Sequence, residues 1–150
     1  MYKFESSVYI NRPVQEVFNY VTDPTHFPDW QSGTETSSWT SDGAPGIGST
    51  FKGAGTILGR NMEAEFEITS WDPPYQWSFK SANGPVPTTN TTKFQAQNDG
   101  TLVTHAVQIE LGGFFQLAEG LAGKQLEKTY EANNTALKQR LEAGQLQTSQ

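Results

Sequence analysis

The sequence predicts an α+β fold with the element order β-α-α-β6-α, and three observations carry that prediction. The chain opens on an alternating strand and closes on a helical stripe. Between them, Gly33 to Leu111 is rich in Thr, Ser, Gly and aromatic residues and is broken by turn residues at roughly ten-residue intervals.

Phe4, Ser6, Val8 and Ile10 alternate with Lys3, Glu5, Ser7 and Tyr9, the period of a strand with one buried face. Val14, Val17, Phe18 and Val21 then follow a helix stripe, with Pro13 at its start and Glu16 in its first turn. This helix ends near Thr22. The stretch Asp23 to Trp30 holds Pro24 and Pro28, too much proline for a long helix, while Phe27 and Trp30 imply burial in a second short helix. His26, beside these aromatics, is assigned to packing.

Six strands are predicted at 34–40, 49–58, 62–71, 75–81, 88–97 and 101–111. Their separators are Ser41 to Gly46, Gly59-Arg60, Asp72-Pro73-Pro74, Asn83-Gly84-Pro85 and Asn98-Asp99-Gly100, residues that supply positive φ or fix a turn. From Phe114 the pattern returns to helix, with Leu126, Tyr130, Leu137 and Leu141 on one stripe. Gly120 and Gly123 weaken its first half. Residues 145–150 read as a disordered tail, which leaves a single domain over 1–144.

At 150 residues, 35% of them hydrophobic and 12% aromatic, the chain carries enough apolar material for a packed core. Ten Lys plus Arg against sixteen Asp plus Glu give a net charge of −6, the wrong sign for neutralising phosphates, so nucleic acid is not expected as a partner. The absence of cysteine excludes disulfides, a thiolate nucleophile and Cys-based metal sites. The two histidines lack a ligating spacing, so no metal is expected. Gly46-Ile47-Gly48 lacks the third glycine of a dinucleotide loop, and no Walker lysine or Gly-x-Ser-x-Gly elbow is present, so no cofactor is expected either. No export signal or membrane-spanning stretch is read, which makes the cytoplasm the expected compartment and a monomer or weak homodimer the expected state.

Three strings stand out: Val8-Tyr9-Ile10-Asn11-Arg12-Pro13-Val14-Gln15-Glu16-Val17-Phe18, Asp23-Pro24-Thr25-His26-Phe27-Pro28-Asp29-Trp30, and Gly46-Ile47-Gly48-Ser49-Thr50-Phe51. With the corner Trp71-Asp72-Pro73-Pro74 and the terminal Ala136 to Glu142, they resemble the START-like, Bet v 1-like (SRPBCC) superfamily, in its polyketide cyclase/dehydrase and lipid-transport branch. The resemblance spans nearly the whole chain. It implies a helix-grip fold, in which a curved seven-stranded antiparallel sheet wraps around a long C-terminal helix, with two short helices after strand 1 and a cavity between sheet and helix. It also implies a small hydrophobic ligand, whether aromatic, polyketide-like or lipid-like.

Strand parity sorts the residues that would face such a cavity. Phe51, Gly53, Gly55 and Ile57 share one face, as do Met62, Ala64, Phe66 and Ile68, which leaves Glu63, Glu65 and Glu67 on the solvent side. Tyr75, Trp77 and Phe79 point inward on the next strand and Asn90, Thr92 and Phe94 on the one after. His105 sits between Val103 and Val107 on an inward face, the one histidine with apolar neighbours on both sides and the only candidate for acid or base catalysis. The alternatives for it are a core histidine bonded to Asn90, Thr92 or water, and a group that orients a ligand. The glycines of the third strand and the small residues of the closing helix fit either room for a guest or close backbone approach. Trp30 is assigned to the core, and the loops Asp42 to Gly48 and Asn83 to Pro87 to the cavity mouth.

The expected ligand-binding set is therefore Phe51, Phe66, Tyr75, Trp77, Asn90, Thr92, His105, Phe114 and Ala118. Two functions stay open on this set. One is binding of a small hydrophobic ligand for transport or sequestration. The other is a cyclase-, dehydratase- or hydrolase-like reaction with His105 as acid or base, although catalysis of that kind ordinarily wants two positioned titratable groups. A partner-binding accessory domain with an incidental cavity is a third reading.

Overall fold

Nine residues of alternating exposure form β1 (Tyr2–Ile10), the first element of a computed structural model that describes residues 1–111 and 119–148, with 144–148 described by backbone alone. Helix α1 (Val14–Val21) buries Val17, Phe18 and Val21, and Arg12 clamps its first turn through two 2.8 Å hydrogen bonds to the Glu16 carboxylate. A 3₁₀ turn (Pro24–His26) follows, and the Asp23 side chain accepts the Thr25 amide at its start. Helix α2 (Phe27–Trp30) is a single turn that buries Phe27 and Trp30.

Six strands follow: β2 (Thr34–Trp39), β3 (Thr50–Ile57), β4 (Arg60–Asp72), β5 (Gln76–Asn83), β6 (Thr88–Gln97) and β7 (Gly100–Ile109). Among the described residues they pair with β1 into one antiparallel seven-stranded sheet in the order β1-β7-β6-β5-β4-β3-β2. Helix α3 (Glu119–Thr148) lies across the concave face, so the architecture is the helix-grip arrangement expected. It is helical through Thr148, whereas the sequence reading ends the ordered chain at 144. No proline interrupts this stretch, and Gly144 alone does not stop the helix.

Because β1 pairs with β7, the N-terminal strand lies under α3 and the two are laced together. The Tyr2 hydroxyl donates to Glu127 at 3.0 Å, and Lys138 Nζ donates at 2.7 Å to both the Tyr9 carbonyl and Glu142. Glu142 in turn accepts the Asn11 amide at 2.9 Å, and that contact with Lys138 holds its carboxyl below the usual range against the opposing effect of burial. On the helix, Ala122, Leu126, Asn133, Leu137 and Leu141 form the buried stripe.

The core divides into two apolar clusters. One gathers Phe18, Phe51, Ile68, Trp77, Phe94, Val103 and Leu137, and the other Phe4, Val86, Val107, Ile109, Leu111 and Leu126. A bulge between Ile68 and Ser70 switches β4 from one inward parity to the other, which lets both Ile68 and Trp71 face the first cluster. On the outer face, Glu65 stands opposite Lys52 and Glu67 opposite Lys80, so two of the three glutamates have a cation across the strand, while Glu63 faces Ala54.

The loop Asn83 to Pro87 carries an apolar anchor, because Val86 is buried in the second cluster. The two readings of the glycines divide between positions. A side chain at Gly55 would collide with the Gly33 backbone, and one at Gly123 with the Tyr2 ring, so at these positions glycine serves close approach and leaves no room for a guest. Gly120, by contrast, faces open space.

The same substitution is therefore expected to act in opposite directions. Gly55→Ala should cost roughly 1–3 kcal/mol, since backbone must shift, while Gly120→Ala should stabilise by no more than about 1 kcal/mol. Urea unfolding of the two variants against the parent checks both signs.

Candidate functional site

Between the two apolar clusters runs a belt of polar side chains on the concave face of β6 and β7. Parity puts Asn90 and Thr92 inward on β6, and the register pairs Thr92 directly with His105 on β7. Asn90 Nδ2 donates to Thr92 Oγ1 at 3.0 Å, and Thr92 Oγ1 lies 2.8 Å from His105 Nδ1. A hydroxyl has one proton. Among the described residues His105 Nδ1 is the one acceptor bonded to Thr92 Oγ1, so the buried hydroxyl keeps a partner for its proton only by donating there, which makes Nδ1 an acceptor and puts the imidazole proton on Nε2.

His105 is 3% exposed, and burial pushes its pKa from 6.5 down to about 4, with hydrogen bonding to the Asn134 side chain acting the other way. The ring is therefore neutral at physiological pH. It stacks against Trp30 with centroids 6.2 Å apart and meets the edge of Tyr130 at 6.1 Å. Burial also lifts the Tyr130 phenol to about 12, so that hydroxyl stays protonated. Asn134, on α3, donates to Ser6 on β1 at 2.7 Å, while its neighbour Asn133 accepts the Ser32 amide.

A narrow hollow of about 30 Å³ opens beside this belt. Its walls are Val21, Phe27 and Trp30 from the N-terminal helices, Trp77 and Phe79 from β5, and Asn90, Thr92 and His105 from the belt. Half-buried Gln31 and Tyr130 complete it. Two buried N–H donors on residues that line the hollow, Trp30 Nε1 and Trp77 Nε1, have no hydrogen-bond partner among the described residues.

The expected site residues separate into groups. Trp77, Asn90, Thr92 and His105 come together around the hollow. Phe51 and Phe66 stand behind it, stacked on one another at 5.3 Å, because Phe27, Trp77 and Phe79 lie against Phe51 and close it off. Tyr75 is a correction. It belongs to the turn before β5, where its amide donates to the Asp72 carbonyl, and its side chain is 57% exposed. Parity runs along strands and does not extend into the turn that ends one. Phe114 and Ala118 lie outside the described residues.

Trp30, Phe27, Gln31 and Tyr130 line the hollow without having been expected there, and Trp30 is core and wall at once. His26 lies elsewhere: it stacks on Tyr20 at 4.3 Å, with Asp23 and Asp29 each 3.5 Å away. Beside it runs an open surface groove of about 510 Å³ that shares no lining residue with the hollow.

Comparison with known proteins agrees with this geometry. The family described as polyketide cyclase / dehydrase and lipid transport matches residues 1–142. A search of curated proteins finds no match. Among solved structures, protein TTHA0849 of Thermus thermophilus is similar with a TM-score of 0.80 at 19% identity, covering 95% of this chain and 99% of that one. A START superfamily protein of Mycobacterium smegmatis gives 0.79 at 15% identity, covering 94% and 97% of the two chains. The Zhui aromatase/cyclase of Streptomyces sp. R1128 gives 0.71 at 16% identity, covering 94% and 93%. No helix among the described residues is long and apolar enough to cross a membrane.

Two outcomes follow from the state of His105. The folded imidazole binds its proton less tightly than the unfolded one, so the unfolded chain takes up more protons between pH 6.5 and 4. Stability is thus at its plateau above about pH 6.5 and is lost as pH falls toward 4, by roughly 3 kcal/mol in all. Denaturant unfolding across that window, with an NMR titration of the His105 ring, checks the sign and the midpoint. Thr92→Val leaves His105 Nδ1 without its donor and should cost roughly 1–3 kcal/mol at pH 7.

Proposed function

Because this chain belongs to the polyketide cyclase/dehydrase and lipid-transport family, we propose that it binds a small hydrophobic molecule, aromatic or lipid-like, between the sheet and α3 and holds it for transport or sequestration. The observation that supports this reading is the hollow itself, an aromatic-walled recess with buried polar atoms that nothing in the protein satisfies. Buried polar groups are ordinarily paired, so a set of unpaired ones at the base of a recess points to a guest.

The same geometry weighs against turnover through His105. An acid must carry a proton near its working pH, and burial keeps this ring neutral. As a base it would have to accept through Nδ1, which the Thr92 hydroxyl occupies at 2.8 Å. What remains for it is the role of a neutral ring in the wall of the hollow, a means of orienting a ligand.

About 30 Å³ is one water molecule's share of the liquid, so a larger guest gains room only as wall side chains shift. Phe27 and Trp30 ride on α2, a single turn of helix, and are the parts of the wall proposed to move. Native mass spectrometry of protein purified from its own host, set against the denatured mass, tests the binding reading. A reproducible apolar adduct is expected; its absence, together with no change in tryptophan fluorescence across a panel of aromatic and acyl-chain compounds, would contradict it.

A further inference from the structure

We infer that the hollow selects a ligand carrying a neutral acceptor oxygen, as in a ketone, aldehyde or ester, which it takes up on the indole N–H groups of Trp30 and Trp77. This inference rests on the binding reading of the same site and goes further by naming the ligand's polar group.

The indoles and the imidazole are each more than nine-tenths buried, at 6%, 1% and 3% exposure, and all three line one hollow. An indole nitrogen only donates, so Trp30 Nε1 and Trp77 Nε1 each require an acceptor. His105 adds no such requirement, because its ring has the Asn134 side chain as a hydrogen-bonding neighbour. A purely apolar guest would leave both indole N–H groups desolvated and unpaired. A guest whose polar tip only donates, such as an ammonium, would satisfy neither.

Charge decides between a neutral oxygen and a carboxylate. Among the described residues that line the hollow there is no Lys or Arg, and His105 is neutral. A carboxylate placed there would be buried without a counter-charge from them, which costs far more than two hydrogen bonds return. Size agrees as well. The space of about 30 Å³ is that of an oxygen-bearing tip rather than of a whole ligand. The apolar body would then extend past Gln31 and Tyr130.

Three small probes of nearly one shape separate the possibilities: acetophenone, its planar isostere α-methylstyrene, and benzoate. Each is titrated into the ¹⁵N-labelled full chain, with the tryptophan indole N–H signals assigned through Trp30→Phe and Trp77→Phe. Acetophenone is expected to bind at least about tenfold more tightly than either of the others and to shift the indole signals of Trp30 and Trp77. Each Trp→Phe change should move the ketone-to-alkene ratio toward one. Equal binding of ketone and alkene would overturn the inference and leave hydrophobic binding standing. Tighter binding of benzoate would overturn the neutral-oxygen assignment. Binding of none of the three would count against both the inference and the reading beneath it.

Discussion

One proton, on the Thr92 hydroxyl, sets the chemistry of this site. The hydroxyl accepts from Asn90 and has His105 Nδ1 as the one acceptor for its own proton among the described residues, which fixes the imidazole as a neutral ring with N–H at Nε2. Had Nδ1 faced a carboxylate, the same histidine would be a candidate acid or base. Facing a hydroxyl that needs an acceptor, in a place closed to solvent, the ring stays neutral. The partner of one nitrogen thus decides whether this histidine can serve as an acid or base.

The fold imposes that partner. Antiparallel register sets Thr92 opposite His105, and the same parity leaves Val103 and Val107 to join apolar clusters on either side of the histidine. The polar belt thus crosses the core at the boundary between two hydrophobic masses, each of which keeps water away from it. Strand order completes the arrangement: with β1 beside β7, Asn134 of α3 bonds Ser6 and lies over the belt, while α2 brings Trp30 onto the ring from the other direction. Strands far apart in the chain, and helices from both ends of it, all contribute side chains to the same small volume.

What the sequence made legible follows from what is local. Period-two alternation and turn residues located the strands to within a few residues, and parity alone placed Trp77, Asn90, Thr92 and His105 on one face, because side-chain direction in a strand is fixed by the backbone. Parity failed at Tyr75, where the strand had not yet begun, and could not anticipate the bulge that turns Trp71 inward. Glycine was ambiguous for a similar reason: whether Gly55 makes room or permits contact depends on the Gly33 carbonyl, just ahead of the neighbouring strand. Trp30 was assigned to packing, and it does pack. That it also walls the site depends on how a proline-rich turn docks on the sheet, a tertiary fact with no sequence period to announce it. The unpaired donors are further still from sequence, since they are a statement about distances to every other atom.

The tautomer of His105 is the most direct test of this account. Selective ¹⁵N labelling of the histidine rings, followed by long-range proton–nitrogen correlation at pH 7, reports which nitrogen carries the proton. The account predicts a neutral ring with an acceptor-type Nδ1 and a protonated Nε2, unchanged until the acid limb of the stability curve. A ring protonated at Nδ1, or an imidazolium at neutral pH, would contradict it and return His105 to the candidates for acid–base chemistry.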